Sequence, residues 1–112
     1  LSGIELLKGL KRLNLYCDEY TNTQCLSQLS ELEWFMVNAV PDMSFISDMD
    51  SVRVLEIYNT DDMPEDIFTP AYDMKGLEYL IVSKWNNNMT EEQEKNFMNK
   101  RPDVKLCFYK IG

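Results

Sequence analysis

The stretch Leu7-Lys8-Gly9-Leu10-Lys11-Arg12-Leu13-Asn14-Leu15 reads L-x-x-L-x-x-L-x-L. Leu13 and Leu15 are two apart, so in an extended chain both point to one face. The pattern recurs at Leu26, Leu29, Leu32 and Trp34, at Met49, Val52, Leu55 and Ile57, and at Met74, Leu77, Leu80 and Val82, while Val104 and Leu106 keep its last two apolar places. With Leu13, Leu32, Leu55, Leu80 and Val104 taken as equivalent, the steps are 19, 23, 25 and 24 residues. Each unit then supplies one short strand and a segment that returns beneath it. No unit can bury its own apolar face, but about five stacked units make a parallel sheet over one continuous core.

A second signal lies between the strands. Pro41 to Phe45 and Pro64 to Phe68 share the spacing Pro-x-x-x-Phe, each preceded by an apolar residue, Val40 and Met63, and the prolines are 23 residues apart. With these residues in place, Met63-Pro64-Glu65-Asp66-Ile67-Phe68 followed by Leu77-x-x-Leu80-x-Val82 resembles the leucine-rich repeat family. The sequence departs from that family where an Asn or Cys is expected after each strand. Asp18, Val37, Thr60 and Trp85 stand there instead, with Asn38, Asn59 and Asn86 one place away. The resemblance implies an α/β fold: a short leucine-rich repeat solenoid with a parallel concave β-sheet, spanning residues 1–112 as one domain.

On this reading Leu13, Leu15, Leu32, Trp34, Leu55, Ile57, Leu80, Val82, Val104 and Leu106 point inward. Leu26, Phe45, Ile46, Met49, Ile67, Phe68 and Met74 pack beneath them. Residues 89–112 form a C-terminal cap. Thr90, Glu91, Glu92 and Gln93 make a capping-box helix start, Phe97 and Met98 are the expected buried residues of a helix over 91–99, and Pro102 ends it. A strand over 103–109 closes the open edge of the sheet.

Composition narrows the function. The 112 residues carry 19 Asp and Glu against 11 Lys and Arg, a formal charge of −8, and no His. Nucleic acids and anionic membranes, which attract Lys and Arg, are therefore disfavoured partners. The commonest general base and metal ligand is missing. Cys17, Cys25 and Cys107 are an odd number with no C-x-x-C spacing, which argues against a fully paired disulfide framework and suggests a reducing, cytoplasmic setting. Cys25 reads as a core residue and Cys107 as exposed. There is no signal peptide pattern and no long apolar run, so no membrane segment is expected. The chain starts at Leu1 rather than Met, which implies a longer product or processing.

Catalytic candidates are few. The carboxylate pairs, with Asp18, Asp61 and Asp62 on loops after strands, lack the alternating spacing and Gly of a calcium loop. A carboxylate-based metal-binding or enzymatic domain stays as an alternative. No cofactor is expected. Asn88-Met89-Thr90 matches a glycosylation sequon.

The remaining surface is the concave face. Alternation assigns to it Arg12, Asn14 and Tyr16; Glu31, Glu33 and Phe35; Val54, Glu56 and Tyr58; Tyr79, Ile81 and Ser83; and Asp103, Lys105 and Cys107. Tyr16, Phe35, Tyr58 and Tyr79 would form an aromatic column beside Glu31, Glu33 and Glu56. Such a face suits a protein interface, aromatic residues giving contact area and acids selecting a basic partner. The expected function is non-catalytic protein binding through these seven residues. Narrower alternatives are an inhibitor or immunity protein neutralising a basic toxin or nuclease, and the terminal repeats of a larger receptor or scaffold.

Overall fold

A computed structural model of the chain describes residues 7–18, 22–38, 40, 42–58, 68–83 and 91–109. Five strands, β1 (Arg12–Leu15), β2 (Trp34–Asn38), β3 (Val54–Tyr58), β4 (Tyr79–Ser83) and β5 (Lys105–Tyr109), form one sheet in sequence order. All four pairings are parallel. Parallel neighbours require long crossovers, and here they contain two 3₁₀ helices, Gln24–Gln28 and Ser44–Asp48, then α1 (Phe68–Tyr72) and α2 (Glu91–Lys100). Each of these packs on the next in the same order as the strands. The expected α/β class and single parallel sheet are therefore present.

The period-three spacing has a local cause. The amides of Leu26, Leu29 and Leu32 donate to the carbonyls of Thr23, Leu26 and Leu29, and Ile46, Met49 and Val52 repeat this on Met43, Ile46 and Met49. Met74 and Leu77 do the same on Ala71 and Met74, and Leu10 on Leu7. These are successive i to i+3 turns, in which residues three apart eclipse one another on one face. Every donor in the three inner flights is buried.

The strand register corrects the expected alignment. Leu13, Phe35, Leu55, Leu80 and Leu106 lie side by side, as do Leu15, Val37, Ile57, Val82 and Phe108. The second unit is thus Leu29-x-x-Leu32-x-x-Phe35-x-Val37, three residues later than the sequence alignment placed it. Phe35 is fully buried and meets Phe45 edge to face at 6.4 Å, while Trp34 faces the other side of the sheet. The physical reason is that a run spaced by three maps onto itself when shifted by three. In the last unit the last turn residue, Val104, stands two residues before the inward strand position instead of three, so Val104 occupies the turn and Leu106 and Phe108, rather than Val104 and Leu106, extend the two inward rows.

The core consists of these rows and the turn residues beneath. Leu26, Ile46, Met49 and Met74 are buried as expected. In the end strands Leu13, Leu15, Leu106 and Phe108 are only partly buried, because each has a neighbouring strand on one side alone. Pro41, Pro64, Ile67, Thr90 and the sequon lie outside the described residues, as do Asn59 and Asn86.

At the C-terminal end, Phe97 of α2 is buried and stacks on Tyr72 at 5.5 Å, with the Lys100 ammonium 4.6 Å above the Tyr72 ring. Met98, expected inside, is 55% exposed. Arg101 follows the helix and reaches inward. Its guanidinium donates to the carbonyls of Ala71, Tyr72 and Met74 at 3.0–3.2 Å and of Leu77 at 3.5 Å, and pairs with both carboxylate oxygens of Asp103. This one side chain satisfies carbonyls where α1 ends and ties the fifth unit to the fourth. The Arg101 hydrogen bonds, with a smaller contribution from its charge, lower the Asp103 carboxyl from its ordinary value.

Candidate functional site

The sheet has two faces, and among the described residues the crossover elements cover only the one carrying the apolar rows. The other face is built from alternate strand residues. Arg12, Trp34, Val54, Tyr79 and Lys105 form one row across all five strands, and Asn14, Met36, Glu56, Ile81 and Cys107 form the next. Trp34, Met36, Val54, Glu56, Tyr58 and Ile81 are half-buried, and Tyr79 is 42% exposed. Together these give a continuous apolar and aromatic surface on the three central strands.

Geometry organises this surface further. The Arg12 guanidinium lies 4.3 Å from the centre of the Trp34 ring, a cation–π contact that fixes both side chains. Beyond the end of β1, Asn38, the last residue of β2, is buried and works as an extra rung. The Cys17 amide donates to its Oδ1 at 2.7 Å, and its Nδ2 donates to the Cys17 carbonyl at 2.8 Å. The planar amide thereby continues the β1–β2 ladder where backbone pairing stops. The Tyr58 hydroxyl donates toward Asn14 Oδ1 and the Leu15 carbonyl, each at 3.4 Å. Burial, together with the nearby Cys17 and Tyr16, raises the Tyr58 phenol above its ordinary value. Burial also raises the Cys17 thiol, with Asp18 adding to the shift.

The acids lie elsewhere than expected. Glu33 precedes β2, and its carbonyl accepts from the amides of Arg53 and Val54 while its own amide donates to Lys11. It therefore belongs to a rim row, Lys11, Glu33, Arg53 and Glu78, whose charges alternate in sign. Arg53 and Glu78 in that row form an ion pair, and the Glu78 carboxylate raises the guanidinium further. Glu31 sits in the preceding turn, its carboxylate beside Gly9. Of the four acids assigned to the face, Glu31, Glu33, Glu56 and Asp103, Glu56 alone stands within its strands, between flanks that carry Arg12 and Lys105.

Each sequence-assigned residue thus has a definite place. Tyr58, Tyr79 and Glu56 lie on the open face, Tyr16 is 70% exposed just past β1, Glu31 and Glu33 lie at its edge, and Phe35 is in the core. The aromatic column is corrected accordingly: Phe35 leaves it and Trp34 and Met36 enter the face. The sequence carries both phases, since Phe35-x-Val37 continues the Leu29 and Leu32 flight just as Leu32-x-Trp34 continues that of Leu26 and Leu29.

The thiols are all free. Cys17 is buried, Cys107 exposed as expected, and Cys25 half-buried rather than in the core, its thiol donating to the Asn22 carbonyl at 3.7 Å. Among the described residues no three His, Cys, Asp or Glu side chains come together as a metal site, Asp61 and Asp62 lying outside them. No described helix is long and apolar enough to cross a membrane. What the open face offers chemically is burial of aromatic and aliphatic area with a few fixed charges. Comparison with protein-family models and with curated protein sequences finds no match for the chain.

Proposed function

We propose that the chain is a non-catalytic protein-interaction module of the leucine-rich repeat kind, binding a protein partner through the open face of its sheet. The observation that carries this reading is the joined surface of Trp34, Met36, Val54, Tyr58, Tyr79 and Ile81, left without a covering element among the described residues. Aromatic residues, Met and Arg are enriched in interface cores, and Tyr and Trp bury area there at low entropy cost. The repeat assignment is supported by the four segments of i to i+3 turns carrying apolar residues three apart and by strands that pair only with their sequence neighbours.

The net charge of −8 favours encounter with a basic protein, as a matter of long-range steering. Contact itself falls to the aromatic and aliphatic side chains, with Glu31 and Glu33 at the edge. Neutralising a basic toxin or nuclease, and serving as end repeats of a larger scaffold, are narrower forms of the same reading that differ in the partner.

A photoreactive residue in place of Met36 should cross-link a specific protein from the native lysate. The same residue in place of Gln28, exposed on the crossover side, should not, and adding Trp34→Ala with Tyr79→Ala should abolish the product. Equal capture from both positions would overturn the assignment to the open face.

A further inference from the structure

The dimensions of the open face restrict what can lie on it. Four strand-to-strand steps of ~4.8 Å separate the positions of Arg12 and Lys105 by ~19 Å, and three outward positions along a strand span at most ~13 Å, the third being the buried Asn38 on β2 and the buried Ser83 on β4. The resulting area of roughly 250 Å² is about a third of what each partner gives to a standard interface between globular proteins. It matches one segment of chain. An extended segment crossing the strands would set its backbone N–H and C=O groups on Trp34, Met36, Val54 and Ile81, of which only the indole N–H can hydrogen-bond, leaving most of them unsatisfied. A helix arrives with its backbone bonds already made, and its diameter of ~10 Å fits the width of the face.

Charge fixes the orientation. Arg12 and Lys105 stand at opposite edges of one row, and Glu56 lies on the central strand in the adjacent row. None of the three is in an ion pair among the described residues. Arg12, stacked on Trp34, still presents the N–H edge of its guanidinium, the geometry that takes a carboxylate.

We infer that the open face binds one amphipathic helix of the partner, laid across the strands between Arg12 and Lys105. The apolar stripe of the helix rests on Trp34, Met36, Val54 and Ile81. A basic side chain near its middle meets Glu56, and carboxylates at its two ends meet Arg12 and Lys105. A span of ~19 Å at 1.5 Å per residue covers ~13 residues. At about 3.6 residues per turn, the spacings near it that keep both carboxylates on the sheet-facing side are about 11 and about 14. Because the chain as a whole is strongly acidic, the rest of the partner is neutral or basic. This inference rests on the open face being the binding surface.

Selection of displayed random peptides of about 16 residues, long enough for the helical span, tests it. On the wild-type protein, enriched sequences should carry Asp or Glu about 11 or about 14 residues apart, the spacings near the helical span that return to one face, flanking apolar residues at helical spacing. The double variant Arg12→Glu with Lys105→Glu should bind them at least about tenfold more weakly and should itself enrich Lys or Arg at the same two places. Peptides lost with Trp34→Ala and Ile81→Ala but indifferent to the charge reversal would overturn the helix assignment and leave the open-face reading standing. Acids only about six residues apart would indicate an extended ligand and would also overturn it. Peptides indifferent to both double variants would overturn both readings.

Discussion

Trp34 and Phe35 are consecutive residues with opposite surroundings. Phe35 lies in the row with Leu13, Leu55, Leu80 and Leu106, fully buried against Phe45, whereas Trp34 lies in the row with Arg12, Val54, Tyr79 and Lys105 on the open side. The five strands present the same backbone to both faces. What differs is the layer beneath, where 3₁₀ turns and helices supply side chains to one face only. The inner face consequently governs whether the chain folds, and the outer face governs what the folded chain can hold.

The sharpest way to break that comparison is to truncate both neighbours. Phe35→Ala should cost ~3–5 kcal/mol, since a buried aromatic leaves a cavity that the surrounding side chains fill only in part. That is a large share of the ~5–15 kcal/mol typical of a domain, so the melting temperature should fall steeply. Trp34→Ala should cost about 1 kcal/mol, chiefly the contact with Arg12, and should act on binding instead. Similar losses for the two, measured by chemical denaturation, would dissolve the distinction between the faces.

Arg101 tests whether the inner side depends only on apolar packing. Its side chain is 13% exposed and serves four carbonyls. Arg101→Met keeps much of the volume but withdraws every donor, and should cost about 2–3 kcal/mol, the scale of a lost charged hydrogen bond. Arg101→Lys should recover part of this loss, because an ammonium reaches fewer of the carbonyls. If the Met variant were as stable as wild type, the carbonyls would be satisfied without the guanidinium.

The smallest expected effect is at alkaline pH. Cys17 and Tyr58 hold their protons to higher pH in the folded state than their ordinary values allow, mainly because of burial. Both are neutral when protonated, so the folded state binds more protons and its stability falls as pH rises past the ordinary thiol range, about 8.5. Below that range their contribution is constant. Melting temperatures measured from neutral to alkaline pH should show this decline, and Cys17→Ala should reduce it. A decline of the same size in the variant would place its origin elsewhere.

Much of this architecture is legible in the sequence, and the remainder is obscured for identifiable reasons. Leu13 with Leu15, Leu55 with Ile57 and Leu80 with Val82 give strands, faces and spacing directly, because a period of two has only two phases. The flight from Leu26 to Phe35 does not, because positions three apart are interchangeable until the chain straightens. A slip of three puts Trp34 on the wrong face and leaves Met36 out, so alternation alone lacks the centre of the open face, while it puts Tyr58, Tyr79 and Glu56 on the side where the structure has them. Arg101 reads as an ordinary basic residue at a helix end. Its part depends on carbonyls 24–30 residues earlier that no local pattern marks.

The staircase of i to i+3 turns bears on how the chain can change length. Its equivalent strand positions are 22, 20, 25 and 26 residues apart. The changes from one step to the next are not multiples of three and so fall outside the flights, within which the turns keep their three-residue spacing. Where residues three apart share one face, an insertion of three residues adds a turn and leaves every later side chain on its own side. An insertion of one or two rotates polar residues such as Gln28, Ser30 or Glu31 into the core. Comparing folded yields of one-, two- and three-residue insertions after Gln28 would expose this rule. The reading frame of the fold, like that of a gene, advances in threes through these segments.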